Sequence, residues 1–111
     1  KKKKKKKKAE SYPAGSDEYN EVFETMVRLY PDDATANLNA SNVAMSRGDL
    51  VSARKYVAKA GGTPEAVYAR GVLAGLDKDY VQARRLLSQA QSMGVKEAAD
   101  ALEQINKIDK K

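Results

Sequence analysis

Gly48-Asp49-Leu50-Val51-Ser52-Ala53-Arg54-Lys55-Tyr56-Val57-Ala58-Lys59-Ala60 decides the fold, because it returns thirty residues later as Lys78-Asp79-Tyr80-Val81-Gln82-Ala83-Arg84-Arg85-Leu86-Leu87-Ser88-Gln89-Ala90. Asp, Val, Ala, Arg and the closing Ala are identical at matching positions, and Lys55 and Arg85 keep the charge. Self-similarity at this period marks one supersecondary unit copied and stacked, each copy burying its apolar face against a neighbour.

Working outward, every segment beside the repeat reads as helix. Before it, Tyr19, Val22, Phe23, Met26, Val27 and Tyr30 recur at i, i+3, i+4 and i+7, an apolar stripe on a helix that starts near Ser16 or Asp17. Pro31 ends that helix, since the residue before a proline is pushed out of the helical region. Asp32 or Asp33 then caps a second helix running to about Arg47, with Ala36, Leu38, Ala40, Val43, Ala44 and Met45 as inward candidates. Gly48 supplies a left-handed C-terminal residue and Asp49 caps a third helix, Leu50 to Ala60, so the second and third helices are antiparallel.

Gly61-Gly62 breaks the chain, and Thr63-Pro64-Glu65 restarts it with a Thr cap and a proline at the first helical position. The fourth helix carries Val67, Tyr68, Gly71, Leu73, Ala74 and Leu76. Asp79 caps the fifth, whose stripe is Tyr80, Ala83, Leu86, Leu87, Ala90 and Met93, and Gly94 ends it. A sixth spans about Lys96 to Ile108 on Ala98, Ala101, Leu102 and Ile105, with Asp109-Lys110-Lys111 a fraying tail. No strand-like alternation occurs. The expectation is an all-α domain over residues 16–108, of about six helices in antiparallel helix-turn-helix repeats, stacked as a short right-handed solenoid.

Composition excludes several functions. The formal charge of +6 depends on the opening Lys1–Lys8 run: without those eight lysines, 13 basic residues face 15 acidic ones, a balance of −2. The body of the chain therefore has no electrostatic footprint for nucleic acid. The run itself reads as an appended tag, a stand-in for an unassigned segment, or a basic tail that would bind polyanions with a steep salt dependence. Residues 9–15 form a Pro/Gly lead-in. With neither Cys nor His, thiolate nucleophiles, imidazole bases and zinc-finger spacings are unavailable. No apolar run approaches the roughly 18 residues of a membrane helix. The carboxylate pairs Asp32-Asp33 and Asp77/Asp79 lie at helix starts and read as caps. No nucleophile–base pair and no phosphate-binding glycine loop accompanies them. The expectation is a non-enzyme without cofactor or metal.

These residues resemble the tetratricopeptide repeat. Gly48-Asp49-Leu50 and Lys78-Asp79-Tyr80 look like the family's turn, Ala53/Ala83 and Ala60/Ala90 like its small positions, Val57/Leu87 like its large one, and Ser41/Gly71 like the small packing site of the first helix. The likeness covers Asp17 to Ile108. It departs in its spacing of 30 to 31, in Asn37 and Val67 at the family's Trp position, and in Arg70 where Leu is usual. Sel1-like and other α-solenoid repeats fit the loop lengths as well. The resemblance implies a concave groove for a protein or peptide, lined by Leu38, Asn39, Asn42 and Met45 with Thr35 and Ser46, and by Tyr68 and Val72 with Glu65, Ala69 and Leu76. Asn39 and Asn42 would bond a peptide backbone.

The first helix resembles a second-half helix whose first-half partner is absent, so the start of the array is open to self-association or is filled by the Lys1–Lys8 segment. Arg54, Lys55, Arg84 and Arg85 form a basic stripe that reads as solubility charge or as a phosphate-binding face. More loosely, residues 30–61 are similar to helical-repeat tails of Gram-negative envelope proteins that also carry an OmpA-like domain, which implies a periplasmic setting and a larger parent protein. The competing reading is a structural spacer or capping domain with no groove ligand.

Overall fold

The computed structural model describes Pro13 and residues 15–109. The Lys1–Lys8 segment and its expected place beside the first helix, the lead-in apart from Pro13 and Gly15, Lys110 and Lys111 lie outside the described residues. Six helices follow one another: α1 Asp17–Leu29, α2 Ala34–Ser46, α3 Leu50–Ala58, α4 Pro64–Leu76, α5 Tyr80–Ser92 and α6 Glu97–Asp109. There is no strand among the described residues. The class is all-α, and the packing of successive helices is consistent with a helical repeat.

The starts are where the sequence places capping side chains. Ser16, Asp33, Asp49, Thr63 and Asp79 each accept a bond from the backbone N–H three residues on, satisfying one of the orphan donors of a helix N-terminus. Asp49 also takes a side-chain bond from Ser52, and these bonds with the Lys55 charge hold its carboxyl below its ordinary value. The turns that follow α2 and α4 are the same object built twice. The Asp49 N–H donates to the Ala44 carbonyl at 2.9 Å and the Asp79 N–H to the Ala74 carbonyl at 2.9 Å. Gly48 sits at φ +76° and Lys78, its repeat counterpart, at φ +66°, so Lys78 carries a left-handed backbone that costs a side chain roughly 1 kcal/mol.

The chain divides between Gly61 and Gly62 into two compact units. In the first, Val22, Phe23, Met26 and Val27 of α1 pack with Ala36, Ala40 and Val43 of α2, and Tyr19, Tyr30 and Tyr56 lie half-buried against them. Tyr19 meets Phe23 edge-on with ring centroids 4.9 Å apart, a favoured aromatic geometry. The α3 helix stops at Ala58, two residues before the expected end, because its last turn tightens: Lys59 and Ala60 bond back to Tyr56 and Val57, three residues away. Ala60 is nonetheless buried.

In the second unit, one cluster joins Val67, Ala90 and Ala98, and another joins Ala83, Leu87 and Ile105. Gly71 lets α4 and α5 close together, since a Cβ there would lie 2.8 Å from Leu87 Cγ and 3.2 Å from the Leu87 backbone nitrogen. Leu76 and Met93, expected inside, are largely exposed because each falls at the end of its helix, beyond the last turn that packs. The α6 helix runs one residue past the expected end, to Asp109, whose carboxylate pairs with Arg84 of α5. Glu97, Asp100, Glu103 and Lys107 face solvent on its outer side.

Two substitutions at the helix contacts separate backbone crowding from side-chain crowding. Gly71→Ala should destabilise the chain by about 1–2 kcal/mol in urea melts, overpacking outweighing Ala's helix preference. Gly75→Ala should be neutral or stabilising, since its near contact is the movable Ile105 Cδ1 at 2.8 Å. At the turns, Lys78→Gly should raise stability by roughly 0.5–1 kcal/mol and Gly48→Lys should lower it by about 1 kcal/mol.

Candidate functional site

The surface of α2 is divided between two uses. A helix turns 100° per residue, so Asn37, Ser41 and Ala44 share one side, all buried, while Leu38, Asn39, Asn42 and Met45 lie roughly 80–200° further round. Of these groove candidates, Leu38, Asn39 and Met45 are half-buried and Asn42 is exposed, with Thr35 and Ser46 exposed beside them. The first-unit set therefore does come together on one helix face. The Ser46 hydroxyl bonds the Val43 carbonyl at 2.7 Å instead of reaching outward.

The second-unit candidates are placed differently. Tyr68 packs half-buried against both clusters of its unit and Val72 against the Ala83–Leu87–Ile105 cluster. Ala69 is buried, whereas Glu65 and Leu76 are exposed. Tyr68 and Val72 thus contribute to the core of the unit, with only part of each side chain open to solvent.

The basic stripe is largely consumed by neighbours. Arg84 pairs with Asp109 and donates through Nε to Asn106 Oδ1 at 3.1 Å, and Arg85 Nε donates to Gln82 Oε1 at 3.1 Å. Asp33 and Asp79 are caps, as their spacing implies. No cluster of three or more potential metal ligands occurs among the described residues, and no described helix is long and apolar enough to cross a membrane.

A cleft of about 640 Å³ opens in the first unit, at a place that no motif of the sequence marks directly. Glu21, Glu24 and Arg28 of α1 border one side, Lys55, Tyr56 and Lys59 the other, with Pro31 and Asn37 between. Asn37 is 1% exposed. Its Nδ2 donates to the Pro31 carbonyl at 2.9 Å and to the Asp33 carbonyl at 2.8 Å, stitching the α1–α2 turn to the first turn of α2. Around the rim, Glu24 is paired with Arg47, Arg28 reaches Thr25 Oγ1 at 3.4 Å, and Lys59 lies 3.9 Å from the Asp32 carboxylate. The only sequence signal was the polar Asn37 at a position where the next unit has Val67. A second, smaller cleft of about 470 Å³ follows α6, lined by Gln91, Ala99, Leu102, Glu103, Asn106 and Lys107.

No protein-family model matches this sequence, and comparison with curated proteins gives no significant match.

The amide of Asn37 is a structural clamp in its own right. Asn37→Ala should cost about 1–3 kcal/mol in denaturant unfolding, through loss of two bonds to backbone carbonyls. Asn42→Ala, on the exposed side of the same helix, should stay within about 0.5 kcal/mol of the parent.

Proposed function

We propose that this chain is a non-catalytic protein-interaction module of tetratricopeptide-like repeats, stacked as a right-handed solenoid and forming part of a larger protein. The observation that carries this reading is the α2 face on which Leu38, Asn39, Asn42 and Met45 stand together. It offers two apolar side chains beside two amides, and no hydrogen bond within the described residues engages either amide. Such a surface suits an extended polypeptide, whose backbone needs both donors and acceptors and whose side chains need apolar contact. The setting, on the likeness of residues 30–61 to envelope-protein tails, is the Gram-negative periplasm.

The runner-up is a spacer without a groove ligand, and the packing of Tyr68 and Val72 into their own unit favours it. A four-residue variant of the α2 face (Leu38→Ser, Asn39→Ala, Asn42→Ala, Met45→Ser) separates the two readings. In pull-downs with the parent chain as bait, the interaction reading expects recovery of a reproducible partner to fall at least about tenfold with this variant, at unchanged helical circular dichroism. Equal recovery by a folded variant would establish the spacer.

A further inference from the structure

We infer that the Asn37 cleft of the first unit is a binding site for a short acidic peptide segment. Among its lining residues is a buried amide whose donors are committed and whose acceptor has no donor among the described residues. Both Nδ2 protons go to the Pro31 and Asp33 carbonyls. Two carbonyl acceptors fix the orientation of the amide, so the atom left over is Oδ1. Nothing among the described residues donates to it, and no fully buried side-chain oxygen or nitrogen among them is left unsatisfied. Oδ1 therefore keeps a trace of exposure, on a residue that is 1% exposed overall and borders the cleft. An acceptor held rigidly at the edge of a cleft selects a ligand that brings an N–H or O–H.

The walls define the rest of that ligand. Arg28, Lys55 and Lys59 are cationic, and of the two lining carboxylates Glu24 is already paired with Arg47. Lys59 is likewise held by Asp32, so Arg28 and Lys55 face Glu21 alone, the remaining lining charge is positive by one, and an incoming carboxylate gains more than an incoming cation. Tyr56 and Pro31 add apolar surface. A donor next to a carboxylate, flanked by apolar groups, is the chemistry of a peptide N–H beside an acidic side chain. A volume of about 640 Å³ holds roughly three or four such residues. The site lies on a different side of α2 from Leu38, Asn39, Asn42 and Met45, so it does not depend on the outer-face reading.

The test is an amide-resolved NMR titration of the whole chain with three capped tetrapeptides: acetyl-LEEL-amide, its glutamine analogue acetyl-LQQL-amide, and LEEL with both glutamate nitrogens methylated. LEEL should shift the resonances of Lys55, Tyr56, Lys59 and the Asn37 side-chain amide. The glutamine analogue should bind about tenfold more weakly, as should LEEL to a Lys55→Gln/Lys59→Gln variant, which alters only exposed groups. The methylated peptide, which keeps its charge but lacks the N–H donors of the two glutamates, should bind at least about fivefold more weakly. These comparisons use the parent fold, so any instability of Asn37 variants does not affect them. Equal binding of LEEL and LQQL, or no response in the cleft at millimolar LEEL, overturns the inference. Shifts confined to Leu38, Asn39 and Asn42 overturn it too, while leaving the outer-face reading intact.

Discussion

The left-handed residue between two capped helices is the constraint on which the rest of the structure depends. With one residue at positive φ and an Asp cap directly after it, α2 must turn back onto α3, and α4 onto α5, within three residues. Many of the positions that then pack are small. Ala36, Ala53, Ala66, Ala83 and Ala90 are fully enclosed, and Gly71 allows Leu87 closer than any Cβ would. The turn matters enough to the geometry that Lys78 adopts it without the help of glycine. A local backbone requirement has been met at the expense of local backbone energy, which happens only where the surroundings over-determine the conformation.

Local chemistry is also what made the fold legible. Caps, prolines and stripe periodicity act within a few residues, and the five capped starts appear where Ser16, Asp33, Asp49, Thr63 and Asp79 stand. The misjudged positions are those whose fate is decided by a partner distant in sequence. Leu76 and Met93 carry the right periodicity but fall past the last packed turn. Asp109, read as tail, is drawn into α6 by Arg84, 25 residues earlier. Tyr68 and Val72 are not in that class: they fit a groove pattern and a core pattern at once, and each packs half-buried in its unit with part of its side chain open. Periodicity places a residue on a face; it does not say whether that face meets protein, ligand or water.

The same distinction governs the charges. Arg84 and Arg85 read as a basic stripe, but each is tied to a neighbour, and the Arg84–Asp109–Asn106 group links α5 to α6. The Arg84 and Asp109 side chains remain 36% and 38% exposed, so screening keeps the pair to about 1 kcal/mol or less. Its consequence is positional: it holds the end of the last helix and removes cations from the outer surface. Around the first-unit cleft, Arg28 and Lys55 are the lining cations outside the ion pairs of Lys59 with Asp32 and of Arg47 with Glu24.

The two units diverge most informatively at one position of the repeat. In the second, Val67 meets Ala90 and Ala98 in a closed apolar cluster, which is what a repeat position needs for stability alone. In the first, the equivalent residue is Asn37, at least as enclosed but polar, with its donors bound to the Pro31 and Asp33 carbonyls and no donor among the described residues on its oxygen. Placing an amide where an apolar side chain suffices sacrifices hydrophobic burial and adds a desolvation cost that two hydrogen bonds only partly offset. The Asn37 acceptor has no donor among the described residues and borders a cleft lined by Arg28 and Lys55, an arrangement in which a ligand can complete the remaining bond.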